Sequence, residues 1–453
     1  MSNRNNKELD IITSRSRGIP KAKVIENDYE DYRVDIEDIY QEERISKRKR
    51  KQERKKKRKR KIALLIAELI AIPVLVFALV LLLMPNSKAW LLGTPLGKFL
   101  VGIVVSEDDF DNIHDKEFNR SDIEVNDGLD TSAMDGYYNI ALFGLDSREG
   151  ELDSGVNSDT IIIASINEET GEVKMCSVYR DTYLRVVKKD GSNSYDKVNS
   201  AYCFGGPEET VKTLNANFDL NISDYVSINF GGLANIIDML GGIDINISSD
   251  EAYWINQYLT ETRKVTGMYT PDVYSSGNVH LTGLQAVAFC RIRKVTFTDE
   301  DGQVYSNDFG RTARQRRVIM KIVELAKNAG VDKVMDVANA IFDSDSDFIK
   351  TSIPYDDVLD LIPTLLSFSI TGTNGYPYTY ECPELVMLSD GSRIDFPVAI
   401  TGLSYNNYKM HEFLFNDKNY KPSDTVKNIE KTLNSMLGYG EKRLDGDENV
   451  NLQ

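Results

Sequence analysis

The sequence predicts an α/β protein: a layered α-β-α domain with a mixed central sheet, preceded by one transmembrane helix. Three observations carry this. From Tyr138 onward, apolar runs of strand length alternate with helix-length patterns, the order that lays helices against a sheet. Two of the first runs, 160–166 and 173–179, flank Glu169-Thr-Gly-Glu172, which reads as a hairpin turn and so puts antiparallel neighbours into the sheet. Ahead of them, Ile62 to Met84 reads IALLIAELIAIPVLVFALVLLLM, interrupted only by Glu68 and Pro73. That exceeds the roughly 20 apolar residues that cross a bilayer as a helix.

The chain has 453 residues, a hydrophobic content of 41% and a formal net charge of -16. The charge is unevenly spread. Residues 1–43 are polar and mixed in sign, and read as a disordered cytoplasmic tail. Residues 44–61, RISKRKRKQERKKKRKRK, form a basic juxtamembrane block. Alone it would pass for a nucleic-acid patch, but Lys and Arg just before an apolar span place the N-terminus in the cytoplasm. The block is also suited to anionic membrane lipids. Everything after it is more acidic than the whole, which argues against nucleic acid as a partner. The span at 62–84 begins too far from residue 1 for a cleaved signal peptide. Residues 85–135 read as an extracytoplasmic linker, with an interrupted apolar stretch from Ala89 to Val105 and an acidic run after it.

Tyr138 to Asp146 is an apolar strand that ends on a carboxylate, and Ser158-Asp159 leads into the next strand. If these strands are antiparallel neighbours, Asp146 and Asp159 share one end of the sheet, where a divalent cation could bridge them. On spacing alone they are as readily two ordinary loop aspartates. Gly205-Gly206-Pro207 introduces a helix to about Phe218. Tyr225 to Phe230 is expected as a strand and Leu233 to Leu240 as a helix stopped by Gly241-Gly242. Ile243 to Ile247 is a further strand, 331–369 is expected to be helical, and 423–437 is a closing helix. Short strands are expected at 376–380 and 385–388.

The charged stretch Phe289 to Arg317, FCRIRKVTFTDEDGQVYSNDFGRTARQRR, organises the rest. Arg291 and Arg293 lie two apart after the apolar run Ala286 to Phe289, so on a strand both would leave by one face. Arg311, Arg314, Gln315 and Val318 fall on one face of the helix that follows Asp308-Phe309-Gly310. Basic residues on a helix usually decorate a solvated surface. Here they converge with arginines that emerge from an apolar setting, which suits a multiply charged phosphate.

There is no Walker loop and no serine-hydrolase elbow, and three histidines leave little material for a zinc site. Cys176, Cys203, Cys290 and Cys382 all fall after the span, where disulfides and buried thiols are both open.

Taken together, Asn139-Ile-Ala-Leu-Phe-Gly-Leu-Asp-Ser-Arg148, Ser158-Asp-Thr160, Ser177-Val-Tyr-Arg-Asp-Thr182, Lys197-Val-Asn-Ser-Ala-Tyr202, Leu240-Gly-Gly-Ile243, Leu281-Thr-Gly-Leu-Gln-Ala286, Cys290-Arg-Ile-Arg293 and Asp308-Phe-Gly-Arg311 with Arg314-Gln315 resemble the LytR-CpsA-Psr family, in its order. Tyr179 departs from the pattern, which usually has Pro just before the Arg-Asp-Thr.

The resemblance implies a catalytic domain over residues 136–330; beyond its motifs, 331–440 is expected as a C-terminal part of the extracytoplasmic domain and 441–453 as a disordered tail. It implies a single-pass membrane enzyme of a Gram-positive-type envelope. Such an enzyme moves a glycopolymer, teichoic acid or capsular polysaccharide, from an undecaprenyl diphosphate carrier to peptidoglycan. By the family pattern Asp146 and Asp159 would hold Mg2+ or Mn2+, while Arg180, Lys197, Arg291, Arg293, Arg311 and Gln315 would grip the diphosphate. Asp308 is a candidate base that could equally orient Arg311. Arg180, Arg291, Arg293, Asp308 and Arg311 would form the catalytic set. Two alternatives stay open: a non-catalytic binder or regulator of lipid-linked polymer, and a polyprenyl diphosphate hydrolase.

Overall fold

Alternation along the first strand sets the architecture. In β1 (Tyr137–Leu145), Ala141, Phe143 and Leu145 point to one side of the sheet and Ile140, Leu142 and Gly144 to the other. The computed structural model describes residues 113–146, 152–298, 302–329, 348–354, 368–388 and 391–438, with positions 333, 336, 337 and 357 between them. The N-terminal tail, the basic block, the apolar span at 62–84, the stretch at 89–105 and the tail after 441 lie outside the described residues. Among the described residues no helix is long and apolar enough to cross a membrane.

The elements that follow β1 are β2 (Ser158–Asn167), β3 (Glu172–Val178), β4 (Tyr183–Val187), β5 (Asn193–Lys197), α1 (Ser200–Phe218), β6 (Asp224–Asn229) and α2 (Phe230–Met239). Next come β7 (Ile243–Ile247), α3 (Ser249–Thr266), β8 (Gly277–Leu281), α4 (Gly283–Cys290), β9 (Phe297–Thr298), β10 (Val304–Tyr305) and α5 (Asn307–Ala329). The chain closes with β11 (Ile349–Thr351), β12 (Ser369–Tyr376), four short strands, α6 (Leu403–Phe415) and α7 (Asp424–Leu437).

The central sheet has the order β11-β6-β1-β2-β3-β12. It is mixed: β1 runs antiparallel to β2 and parallel to β6, and β3 runs parallel to β12. On one face Ala141, Phe143, Ile161 and Ile163 pack against Val211 and Leu214 of α1, Met410 and Leu414 of α6 and Val426 of α7. On the other side, α2, α3, α4 and the antiparallel β7–β8 pair build a separate cluster around Ile237, Ile255, Val287 and Phe289. The layered α/β reading therefore holds.

Several local expectations differ. Arg291 and Arg293 are not on a strand: Ala286 to Phe289 belongs to α4, which Thr282 opens with a capping box to Gln285, and Arg291 is its C-cap. A short buried apolar run has no period of its own, so the Thr-x-x-Gln signal decides it. The helix expected from Gly205 begins at Ser200 and is kinked at Gly206. In the region expected to be helical, Ile349–Thr351 is instead an edge strand on β6 and Ser369 opens β12, while most of that region lies outside the described residues. All four cysteines are free. Residues 113–135, expected as linker, pack on the domain edge: Thr351 donates to the Ile113 carbonyl at 2.9 Å, and Arg120 pairs with the buried Asp224 at 2.9 Å.

Candidate active site

The antiparallel pairing of β1 with β2 brings the end of one to the start of the other. Asp146 directly follows β1, and Asp159 is the second residue of β2. The approach is close: a Cβ on Gly144 would lie 2.9 Å from Thr160 Cβ, so the pairing there needs glycine. The conditional expectation that both carboxylates share one end of the sheet is met, and both line one cavity.

That cavity, about 440 Å3, lies between the second face of the sheet and the helices. Its walls are Leu142, Ile162, Val226 and Ile228 from the sheet, Leu233 and Ile236 from α2, and Ile319 from α5. Leu142, Val226 and Ile228 are only half-buried, and among the described residues no side chain fills the space they face. Close packing is the rule for protein interiors, so an aliphatic cavity of this size marks a candidate binding space.

At one end of it guanidinium groups crowd two carboxylates. Arg180 pairs with Asp159 Oδ1. Arg311 donates from Nη1 to Asp159 Oδ2 at 3.4 Å and from Nη2 to the Asp159 carbonyl at 3.0 Å. Arg293 Nη2 stands 3.8 Å from Asp159 Oδ2, and its Nε 3.4 Å from Asp308 Oδ1. Arg311 Nη2 donates to Asp308 Oδ2 at 3.0 Å. Burial opposes ionisation of Asp159, but Arg311, Arg180 and Arg293 outweigh it and hold the carboxyl below its usual range. Burial draws the Arg311 guanidinium down to about 10 against the pull of Asp308 and Asp159, so it stays charged at neutral pH. Burial also disfavours charge on Arg180, yet Asp159, Asp308 and Asp181 raise its pKa overall.

Arg291 reaches the same cavity from the end of α4. It donates to Thr262 Oγ1 and pairs with Glu261, both at 2.9 Å, and its Nη2 lies 3.9 Å from Asp146 Oδ2. Gln315 lines the cavity, and its Oε1, like Arg311 Nε, is buried with no hydrogen-bond partner among the described residues. Orphaned polar atoms at the charged end of a cavity are the complement of a polar ligand head.

Two expected residues sit elsewhere. Lys197 faces Asp181 at 3.0 Å, in a second cavity beyond Arg180. Arg314 does not share the site with Arg311 and Gln315: fully buried, it donates to Glu251 Oε1 at 2.8 Å and to the Val295 carbonyl at 3.0 Å. Glu251, Glu261 and Asp181 were missed. Only Asp181, adjacent to Arg180 in the sequence, carried a signal.

The chain matches the LytR_cpsA_psr family over residues 103–380. It belongs to that family. It is 34% identical over 223 residues to the polyisoprenyl-teichoic acid–peptidoglycan teichoic acid transferase TagU of Bacillus mycoides, covering 49% of this chain and 62% of that protein. It is 33% identical over 235 residues to the TagU of Halalkalibacterium halodurans, covering 51% and 66%. The chain thus spans under two thirds of the length of these relatives. Among solved structures it is similar to Bacillus subtilis TagV at 24% identity and a TM-score of 0.44, over 63% of this chain and 98% of that one. The departure at Tyr179 has a structural counterpart in this LytR_cpsA_psr chain. The Tyr179 ring meets Phe309 edge-on at 4.4 Å, and a Cβ on Gly375 would lie 2.1 Å from its hydroxyl. The aromatic thereby packs against the residue next to Asp308.

Proposed function

We propose that this chain is a phosphotransferase that moves a glycopolymer of the teichoic acid or capsular polysaccharide type from an undecaprenyl diphosphate carrier to peptidoglycan. One observation carries the reading: an aliphatic cavity of about 440 Å3 ends in Arg291, Arg293 and Arg311. That is the complement of a hydrocarbon chain bearing a multiply charged phosphate head. The relatives named as teichoic acid transferases agree with it.

In the proposed reaction an acceptor hydroxyl attacks the phosphorus next to the donor sugar. Its O–H bond breaks and its oxygen bonds to phosphorus. The bond from that phosphorus to the oxygen of the lipid phosphate breaks, and the electron pair leaves on polyprenyl monophosphate. Arg180, Arg293 and Arg311 take up the charge that develops on the phosphoryl oxygens, and Arg291 and Gln315 bind the diphosphate. Asp308 is held by Arg311 and faced by Arg293 and Arg180, so protonating it would break the ion pairs that order the site. Its role is to position the arginines, and the released proton passes to solvent.

The residues fit a hard divalent cation in type. Asp146 and Asp159 line one cavity, and no group of three or more His, Cys, Asp or Glu ligands exists among the described residues, so substrate oxygens would complete the shell. Asp146 and Asp159 would hold Mg2+ or Mn2+. Once bound, the cation would neutralise diphosphate charge. The basic block followed by the span at 62–84 supports a single-pass protein with its N-terminus in the cytoplasm and the domain outside, in contact with membrane lipids.

The test is a product assay with the full chain in nanodiscs, using a polyprenyl diphosphate-linked disaccharide with and without peptidoglycan. The expected result is disaccharide phosphate joined to peptidoglycan, with lipid monophosphate released. Release of lipid monophosphate at the same rate without acceptor, and no joined product with it, would make the chain a hydrolase. No conversion in either case would overturn the reading.

A further inference from the structure

The arginine cluster separates two cavities of opposite character. Asp159 lines both. Beyond Arg180 lies the second space, about 480 Å3, formed by Asn157 just before β2, Asp181 after β3, the end of β5 and the first turn of α1. Its walls include Asn157, Asp181, Asp196, Asn199, Ser200 and Phe204. Apart from Phe204 these are hydroxyl, amide and carboxylate groups. Such a lining cannot solvate a hydrocarbon chain. Phe204 is 43% exposed although it is a large apolar side chain at the rim of a polar cavity, with the Lys188 ammonium 5.1 Å from its ring centre. Amides and carboxylates that exchange hydrogen bonds with hydroxyls, beside an exposed ring that offers its face to C–H groups, form a lining suited to a saccharide.

Direction then assigns which saccharide. In phosphoryl transfer the attacking and leaving oxygens lie roughly in line through phosphorus. With the lipid in the apolar cavity, the lipid phosphate departs toward that cavity. The incoming hydroxyl therefore approaches from the far side of Asp159 and Arg180, where the polar cavity opens. We propose that this cavity binds the acceptor, a peptidoglycan glycan strand, and delivers its hydroxyl to the diphosphate. Lys197 belongs to this subsite: its ammonium holds Asp181 at 3.0 Å, and Asp181 Oδ2 stands 3.5 Å from Arg180 Nε. The proposal rests on the phosphotransferase reading and adds the place and chemistry of the acceptor.

A native thiol reports on it. Cys203 is half-buried and lines the polar cavity, Cys382 is exposed, and Cys176 and Cys290 are buried. The experiment follows iodoacetamide alkylation of each cysteine by mass spectrometry in the full chain, alone and with three probes. These are a soluble uncrosslinked peptidoglycan glycan, octaprenyl diphosphate, and a diphosphate-linked disaccharide donor. The glycan is expected to slow Cys203 about tenfold at about ten times its Kd, since only the free fraction reacts, and to leave Cys382 unchanged. Octaprenyl diphosphate should leave Cys203 unchanged. Phe204→Ala and Asp196→Asn should each lose most of the protection while Cys176 and Cys290 stay unlabelled, the sign of an intact fold. Full-rate Cys203 labelling at a glycan concentration that supports transfer would overturn the subsite and leave the transferase reading standing. Protection by the disaccharide donor alone would give the cavity to the donor sugar and overturn the acceptor assignment. Absence of transfer together with absence of protection would overturn both.

Discussion

Arg311 donates to both the side chain and the backbone carbonyl of Asp159, which ties the first turn of α5 to the start of the inner strand β2. The pair has a structural share that the outer arginines lack. Arg311 is almost fully buried, whereas the Arg293 side chain is 39% exposed. Arg311→Ala leaves Asp159 and Asp308 short of a partner and is expected to lower stability by about 1–3 kcal/mol, as for other part-buried charged hydrogen bonds. Arg293→Lys should leave stability within about 0.5 kcal/mol, the usual range for surface changes. It should nevertheless cut transfer severely, because an ammonium lacks the two-pronged grip. Melting curves and transfer rates on both variants check this. Wild-type transfer by Arg293→Lys would remove Arg293 from the site.

Acid dependence follows from Asp159. Burial opposes its ionisation, but the surrounding arginines depress its folded pKa below the unfolded value of about 3.9. Its contribution to stability is therefore present above that value and is lost as pH falls through the folded pKa. Denaturation midpoints for the wild type should fall as pH drops below about 4, and Asp159→Asn should lack that part of the slope. Parallel curves for the two proteins would contradict the assignment.

What the sequence made legible was whatever local periodicity encodes. The two apolar runs that become β1 and β2, with a carboxylate at each facing end, give one end of the sheet and the place of Asp146 and Asp159. The spacing of Arg311 and Gln315 gives one helix face. Arg314 lies on the flank of that face, and only the position of α3 with Glu251 turns it into the core. The polar cavity around Lys197 is equally non-local, since residues just before β2, in β5 and in α1, far apart in sequence, line it together. Arg291 and Arg293 reach the site despite the misread strand, because the end of a helix can aim side chains as well as a strand can.

Arg314 and Glu251 form a fully buried pair that also ends the Ser248 capping box: Glu251 Oε2 accepts from the Ser248 amide at 2.9 Å. Arg314→Met leaves that carboxylate buried and unpaired, and a loss of about 3–5 kcal/mol is expected. The paired change Arg314→Met with Glu251→Leu should recover much of it, since an apolar pair can replace a buried ion pair. Arg314 also donates to the carbonyls of Ile292 and Val295, which flank Arg293. The paired variant is therefore expected to fold yet transfer slowly. Chemical denaturation and transfer rates test the two effects separately. A paired variant with wild-type transfer would show that Arg293 needs no such support.

Metal dependence is expected to require both carboxylates. Asp146→Asn and Asp159→Asn should each abolish the stimulation of transfer by Mg2+, and chelator should reduce wild-type transfer to the level of the variants. Asp146 lies just past the end of β1 and is partly exposed, so Asp146→Asn should melt near the wild type. Full transfer by the double variant in chelator would dismiss the metal.

The apolar cavity offers a test that separates lipid binding from chemistry. Val226 is half-buried on the sheet face that lines the cavity and is remote in sequence from every charged residue of the site. Val226→Phe would place a ring where the hydrocarbon chain is expected to lie. Filling a void adds contacts, so stability should hold or rise, by at most about 1–2 kcal/mol. A long carrier needs the whole cavity and a short one needs only its charged end. Transfer from an undecaprenyl diphosphate-linked donor should therefore fall by at least about tenfold, the effect of losing roughly 1.4 kcal/mol of binding. A geranyl diphosphate-linked donor of the same sugar should react at the wild-type rate. Equal losses on both donors would place the obstruction at the diphosphate, and equal retention would show that the lipid lies elsewhere.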